Sequence, residues 1–308
     1  MTQASEGSRV LTALAVCVVG AAVVTGCGVA GSAHQPGTGV VASTEVWGSV
    51  ADFVAGRHVK VRSILSGATV DPHTYQASAS DAASLMDSGL VVYNGGGYDP
   101  WVTQVLNGHS NIKSVDAYSF AGKADSGEPD EHVFYDLGIA KAVATTIADR
   151  LAEIDADNAN DYRANATGFG RDADAIAASE RSIADTYPDA AVLATEPVAY
   201  YLLKATGLTN RTPPAFMSAN ENGTDPSPAD MAYVFDLVNR HQIAALLVNP
   251  QTATPAISGL QDAARRAGVP VTQVTETLPD GADYLSWQRN TVQALQAALR
   301  SSGNNARH

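Results

Sequence analysis

Two imidazoles and two carboxylates stand at the positions of this 308-residue chain best suited to chemistry. His73 lies in Asp71-Pro72-His73-Thr74-Tyr75 and His132 closes Asp130-Glu131-His132. Glu196 follows Val192-Leu193-Ala194-Thr195, and Glu276 follows Val271 to Thr275. Each comes after a short apolar run that reads as a β-strand, and in open α/β sheets the loops beyond the strands' carboxyl ends line the ligand crevice. Nitrogen and oxygen donors from four separate loops can close a coordination shell around a divalent ion. Two imidazoles suit zinc, while carboxylates that bind through both oxygens also suit manganese. Asp71, Asp130 and Glu131 adjoin the two histidines, where they would orient the rings or attract the ion from outside the shell.

Other chemistries find little support. The chain has only two cysteines, Cys17 and Cys27, both near the N-terminus, so the mature body offers no thiolate for metal or catalysis. It contains neither a G-x-S-x-G elbow nor an H-E-x-x-H pair, and a metallohydrolase would also need an open coordination position for water. Asn94-Gly95-Gly96-Gly97 lacks the Lys-Ser/Thr of a phosphate loop and reads as a turn. His34, His58, His109, His241 and His308 have no carboxylate partner in the pattern and are expected to be solvated. A net charge of -13 repels nucleic-acid phosphates and anionic lipid head groups, so no nucleic-acid partner is expected.

The elements that must position these residues alternate between buried strands and helices, the pattern of parallel sheets covered by helices. Strands are expected at Val40 to Ser43, Val59 to Leu65, Leu90 to Tyr93 and Ile112 to Val115, with helices at Val46 to Ala55, Ser80 to Ser88 and Tyr98 to Asn107. Leu137 to Tyr187 is rich in alanine and has no strand signal. It divides at Asp155 to Asn158, and its second half, Ala159 to Ala184, is polar around most of its circumference, as a helix bridging two domains would be. Strands return at Ala191 to Ala194, Ala215 to Met217, Ala244 to Val248 and Val271 to Val274. One helix opens at Ser227-Pro228, and a last helix runs from Asp283 to Leu299. The expected α/β architecture is two lobes, residues 40–157 and 188–302, each a mostly parallel sheet with flanking helices. A long rigid linker helix at 158–187 joins them, the ligand cleft lies between them, and a polar tail follows at 303–308.

The N-terminus is of another kind. Arg9 precedes an apolar run from Val10 to Val24, which has the length of a signal-peptide core rather than of a membrane span. Val24-Thr25-Gly26-Cys27 resembles the lipobox of bacterial lipoproteins, which implies a signal peptide at 1–26 and a lipidated Cys27 as the new N-terminus. Residues through 39 then form a small, glycine-rich tether with a reach of roughly 20 Å. The sequons at Asn165 and Asn222 have no role in a bacterial lipoprotein.

The stretch DPHTYQASASDAASLMDSGLVVYNGGGYDPW resembles the zinc- and manganese-binding solute-binding proteins of ABC transporters, which carry DPH-x-Y-x5-D, a strand ending in Y-N-G, and a Trp-bearing helix. The likeness continues in order through EHVFYDLGIAKAVATTIADRL, NANDYRANATGF, ATEPVAYYL, DPSPADMAYVFDLV and TETLPDGADYLSWQRN. It implies capture of zinc, or alternatively manganese, for an ABC permease and its ATPase, by a monomer held at the outer face of the cell membrane. It also implies metal ligands at His73, His132, Glu196 and Glu276. The family more often has Asp at the fourth position, and Asp280 is only four residues on, so both remain candidates there. The region before His132, GKADSGEPDE, lacks the histidine-rich loop of many zinc members. A surface adhesin or a metal-dependent hydrolase on the same scaffold is the alternative function.

Overall fold

The strands that hold the molecule together are continuous apolar runs, because they are covered on both faces. In the computed structural model, which describes residues 37–67, 72–122 and 129–305, strands β1 (Val40–Thr44), β3 (Leu90–Tyr93) and β7 (Ala245–Val248) are buried along their whole length. Edge strands β2 (Val61–Leu65) and β8 (Val271–Gln273) admit Arg62 and Gln273, whose side chains face water. With β4 (Ser114–Asp116), β5 (Ala191–Ala194) and β6 (Thr209–Asn210) they form two four-stranded sheets, ordered β2-β1-β3-β4 and β6-β5-β7-β8. Every pairing is parallel; Val40 faces both Val61 and Leu90, and Val192 faces both Asn210 and Ala245. Each sheet reverses its winding beside its first strand, and such a switch point opens a crevice at the strands' carboxyl ends.

The signal segment, Cys27, the tether up to residue 36, Asp71, residues 123–128, the last three residues, and with them His34 and His308, lie outside the described residues. All described residues belong to one compact unit, Gln35–His308.

The helices follow the parallel crossovers: α1 (Glu45–Ala55), α2 (Ala79–Met86), α3 (Pro100–Leu106) and α4 (Leu137–Ile154) in the first half, α6 (Tyr200–Ala205), α7 (Pro214–Glu221), α8 (Pro228–Asn239), α9 (Pro255–Arg266) and α10 (Tyr284–Asn305) in the second. Between the halves runs α5 (Ala159–Thr186). Its buried residues are Tyr162, Ala166, Phe169, Ala173, Ile176, Glu180 and Ile183, spaced alternately by four and three, so a single stripe is apolar although the helix is polar overall. That stripe packs on α1 and α4 of the first lobe and on α6 and α10 of the second. One hydrophobic core therefore extends through both lobes, including Trp47, Phe134, Phe169, Tyr284 and Trp287, while smaller clusters lie under α2 and α3 and under α8 and α9.

Two expectations need correction. Ala215 to Met217 is not a strand but lies inside α7: Pro214, at its first position, presets a helical φ and cannot donate to a sheet ladder, and the strand is the short polar Thr209–Asn210. The final helix does not end at Leu299 but continues to Asn305, since Arg300-Ser301-Ser302 contains no breaker and Gly303 costs only about 1 kcal/mol. The opening of α8 is as expected: the Ser227 side chain accepts from the Asp230 N–H, with Pro228 at the first helical position.

Candidate metal centre

His73 follows β2 in a turn whose anchorage explains the DPHTY segment. The Tyr75 hydroxyl donates to Asp81 Oδ2 at 2.7 Å, and Asp81 closes a reciprocal capping box with Ser78 at the start of α2. The Tyr75 ring also lies edge-on to Trp101 at 5.4 Å. The last residue of the DPH-x-Y-x5-D pattern is thus the clamp that fixes the histidine's loop.

His132 is buried. Its Nδ1 lies 2.9 Å from Asp130 Oδ1, which also accepts the His132 backbone N–H at 2.9 Å. A carboxylate can only accept, so Nδ1 carries the hydrogen and Nε2 is left as the donor atom for an ion. Burial alone would lower the His132 pKa, but the hydrogen bond and the charges of Asp130 and Glu276 outweigh it and hold the ring above the usual histidine value. The Asp130-Glu131-His132 segment is pinned from below by Asn94, whose Nδ2 donates to the Glu131 carbonyl at 2.8 Å and whose Oδ1 accepts from Trp47 Nε1 at 3.0 Å. The glycines after Asn94 are required there. Gly95 has φ of 77° and a Cβ on it would meet Asp116 Oδ1 at 2.1 Å; on Gly96 it would meet the Tyr118 ring at 2.4 Å. The Asn-Gly-Gly-Gly segment is a turn, and what it holds is the His132 loop.

The second lobe supplies the carboxylates from the ends of its sheet. Glu196 follows β5 and Glu276 follows β8, and both are buried. Glu276 Oε2 lies 3.3 Å from His73 Nε2 and 3.5 Å from the Tyr98 hydroxyl. The backbone of Glu276 is set by Gln251, whose Oε1 accepts its N–H at 2.7 Å. Burial pushes the Glu276 carboxyl up, but the hydrogen bond from His73 and the nearness of both imidazoles bring it below its ordinary value. His73, His132 and Glu276 each offer a ligand atom within 4.8 Å of the others. Asp280, the alternative fourth ligand, is exposed and outside this group.

Glu196 is placed otherwise. Asn249 Nδ2 donates to its Oε2 at 2.8 Å, and the Thr252 hydroxyl donates to its Oε1. The same Asn249 amide donates to Glu276 Oε1 at 2.9 Å, so one buried side chain ties the two carboxylates together. Glu196 is not among the three converging donors, and burial raises its pKa to about 7. Two further carboxylates border the site: Glu131 Oε1 is 3.5 Å from His73 Nδ1, and Glu221 Oε1 is 3.9 Å from His132 Nε2. Burial raises both.

Sequence reasoning missed Asn249, Tyr98, Thr252 and Glu221. Asn249 carried a usable signal: it directly follows the apolar run of β7 and precedes Pro250, the same post-strand position that marked Glu196. His58 also needs correction. Rather than being solvated, its Nε2 is 2.8 Å from Asp161 Oδ2, a partner 103 residues away on α5 that no local pattern reveals.

The chain matches the family described as zinc-uptake complex component A, periplasmic, over residues 40–298. The protein belongs to that family. Within it, the chain is 26% identical over 264 residues to the manganese-binding lipoprotein MntA of Bacillus subtilis, covering 80% of this chain and 83% of that one. Among solved structures, the laminin-binding protein Lmb of Streptococcus agalactiae, described as bifunctional with adhesin and metal-transporting activity, superposes with a TM-score of 0.71 at 22% identity. That match covers 85% of this chain and all of the other. The periplasmic zinc-binding protein TroA of Treponema pallidum gives 0.69 at 18%, covering 84% and 98%. Zinc-uptake component A proteins and these neighbours thus share the fold of two parallel-sheet α/β lobes. The family consists of substrate-binding components of transporters.

Proposed function

We propose that this protein captures a divalent transition metal outside the cytoplasm, holds it between the two lobes, and delivers it to an ABC permease driven by its ATPase. The supporting observation is the convergence of His73, His132 and Glu276 within 4.8 Å, with the imidazoles from one lobe and the carboxylate from the other. Asp130 leaves His132 Nε2 available to an ion, which is the outer-sphere arrangement that metal-binding histidines require. Glu196 completes the set as a second carboxylate.

Zinc is the proposed cargo, with manganese as the alternative. Nitrogen and oxygen donors bind zinc more tightly than manganese in the ordinary affinity order of divalent ions. The names of related proteins include both metals. Anchoring is proposed through lipid on Cys27, with more than one acyl chain, because a single chain binds membranes only marginally. The monomer is the proposed working form.

The test is a strain lacking the gene, grown under zinc or manganese limitation. Failure to grow without zinc, relieved by the intact gene and not by one encoding His73→Ala and His132→Ala, is the expected result. A growth defect relieved by manganese and not by zinc would reassign the cargo.

A further inference from the structure

Glu196 has both carboxylate oxygens engaged by protein donors, Asn249 on one and Thr252 on the other, and stands outside the three converging donors. Glu221, likewise outside the three converging donors, stands at their margin, 3.9 Å from the nitrogen of His132 that Asp130 leaves available. The segments that carry these two residues are joined by a hydrogen bond next to each of them. Asn220, buried at the end of α7, donates through Nδ2 to the carbonyl of Thr195, the residue preceding Glu196, and to that of Phe216, at 3.0 Å each. Gly223, with φ of 63°, then turns the chain away, so Glu221 is the last side chain of α7 and is presented toward the site. Glu221 is three-quarters buried, which is costly for a carboxylate without a cation to face.

We propose that Glu221 is a loading ligand: it binds the incoming ion together with His73, His132 and Glu276, then hands its coordination position to Glu196. This rests on the proposed reading of His73, His132 and Glu276 as the ion's donors. In the exchange the bond from the metal to a Glu221 oxygen breaks as one to Glu196 Oε1 forms, and the hydrogen bond from Thr252 to Oε1 is given up while Asn249 Nδ2 keeps Oε2. No electron changes hands, and Glu196, where it holds a proton, releases it to solvent as its oxygen binds. Carboxylates are apt for such an exchange, since the incoming ligand can bind through one oxygen before the outgoing one leaves.

The test is stopped-flow zinc binding on the full chain, with dissociation followed by capture of released zinc with a chelator. Glu221→Gln is expected to slow association about tenfold, with dissociation unchanged; Glu196→Gln is expected to leave association intact and to speed dissociation about tenfold or more. The deficit of Glu221→Gln must persist at high salt, where attraction by exposed charge is screened. Glu221→Asp, too short to reach the ion, must show the same deficit, and both variants must melt like the wild type without metal. Unchanged association in Glu221→Gln, a deficit that salt abolishes, or dissociation accelerated as in Glu196→Gln would overturn the hand-over. If the His73→Ala, His132→Ala protein loses zinc while Glu221→Gln is kinetically silent, the hand-over fails and the site reading survives. If that double variant binds like the wild type, both fail.

Discussion

At the scale of single residues, the unusual feature is that one amide, Asn249, serves two buried carboxylates that would otherwise repel. Asn249→Ala is expected to weaken zinc binding about ten- to a hundredfold, the usual cost of removing an outer-sphere partner, as measured by competition with a chelating dye. Protons compete with the ion at the same groups. Burial raises Glu196 to about 7, and Asp130 and Glu276 hold His132 above its ordinary value, so both are protonated more readily than usual and, as the proposed ligands, would have to lose the proton to bind metal. Zinc affinity is therefore expected to fall as pH drops through about 7, in titrations between pH 5.5 and 8. His73, His132 and Glu276, which the structure brings together, were legible because each follows an apolar run, and because the DPHTY segment carries its own anchor in Asp81; Glu196, read by the same rule, stands outside that group. Their supporting residues were less so. Tyr98 and Glu221 lie on helical or turn segments where nothing local distinguishes a residue facing Glu276 or His132 from one facing water, and these partners are 178 and 89 positions away in the chain.

Among the elements, α5 carries an anomaly of its own. Glu180 falls in its apolar stripe, is 3% exposed, and has an oxygen with no hydrogen-bond partner among the described residues. Burial, reinforced by the nearby charge of Asp136, raises its pKa to about 7. A carboxyl bound more tightly to its proton in the folded state than in the unfolded one stabilises fully below its unfolded value near 4.5. That contribution is lost as pH rises through about 7. Glu180→Gln is therefore expected to stabilise the metal-free protein by on the order of 1–3 kcal/mol at pH 8 and by almost nothing near pH 4, as read from urea melts. The stripe itself was only half visible in the sequence. Its four-three spacing is carried by four large apolar residues, Tyr162, Phe169, Ile176 and Ile183, diluted by two alanines and broken by Glu180, so a polar helix concealed a buried seam that long-range packing reveals. The inner strands β3, β5 and β7 were legible because burial on both faces leaves them no polar positions, whereas β6, two polar residues long, has no pattern to recognise.

For the whole molecule, the continuity of the core across the lobes limits how the cleft can work. Tyr135, Tyr201 and Tyr284 each donate a hydroxyl to a backbone carbonyl far away in sequence, of Thr275, Asp130 and Phe134, and so tie residues near His132 to the second lobe. A wide hinge motion would break these bonds and expose the shared core, so metal binding is expected to leave the radius of gyration in small-angle scattering unchanged within error. A clear contraction would show a hinge that this packing opposes. At the N-terminus, Cys27→Ala is expected to release the protein from the membrane fraction into the soluble one; retention to the wild-type extent would remove lipid anchoring from the proposal. The central claim is that one divalent ion is held by donors from both lobes, and calorimetric titration of the metal-free full chain with zinc tests it most directly. One zinc per chain is expected for the wild type and no measurable binding for the His73→Ala, His132→Ala protein. Undiminished affinity in that double variant would contradict capture at this site.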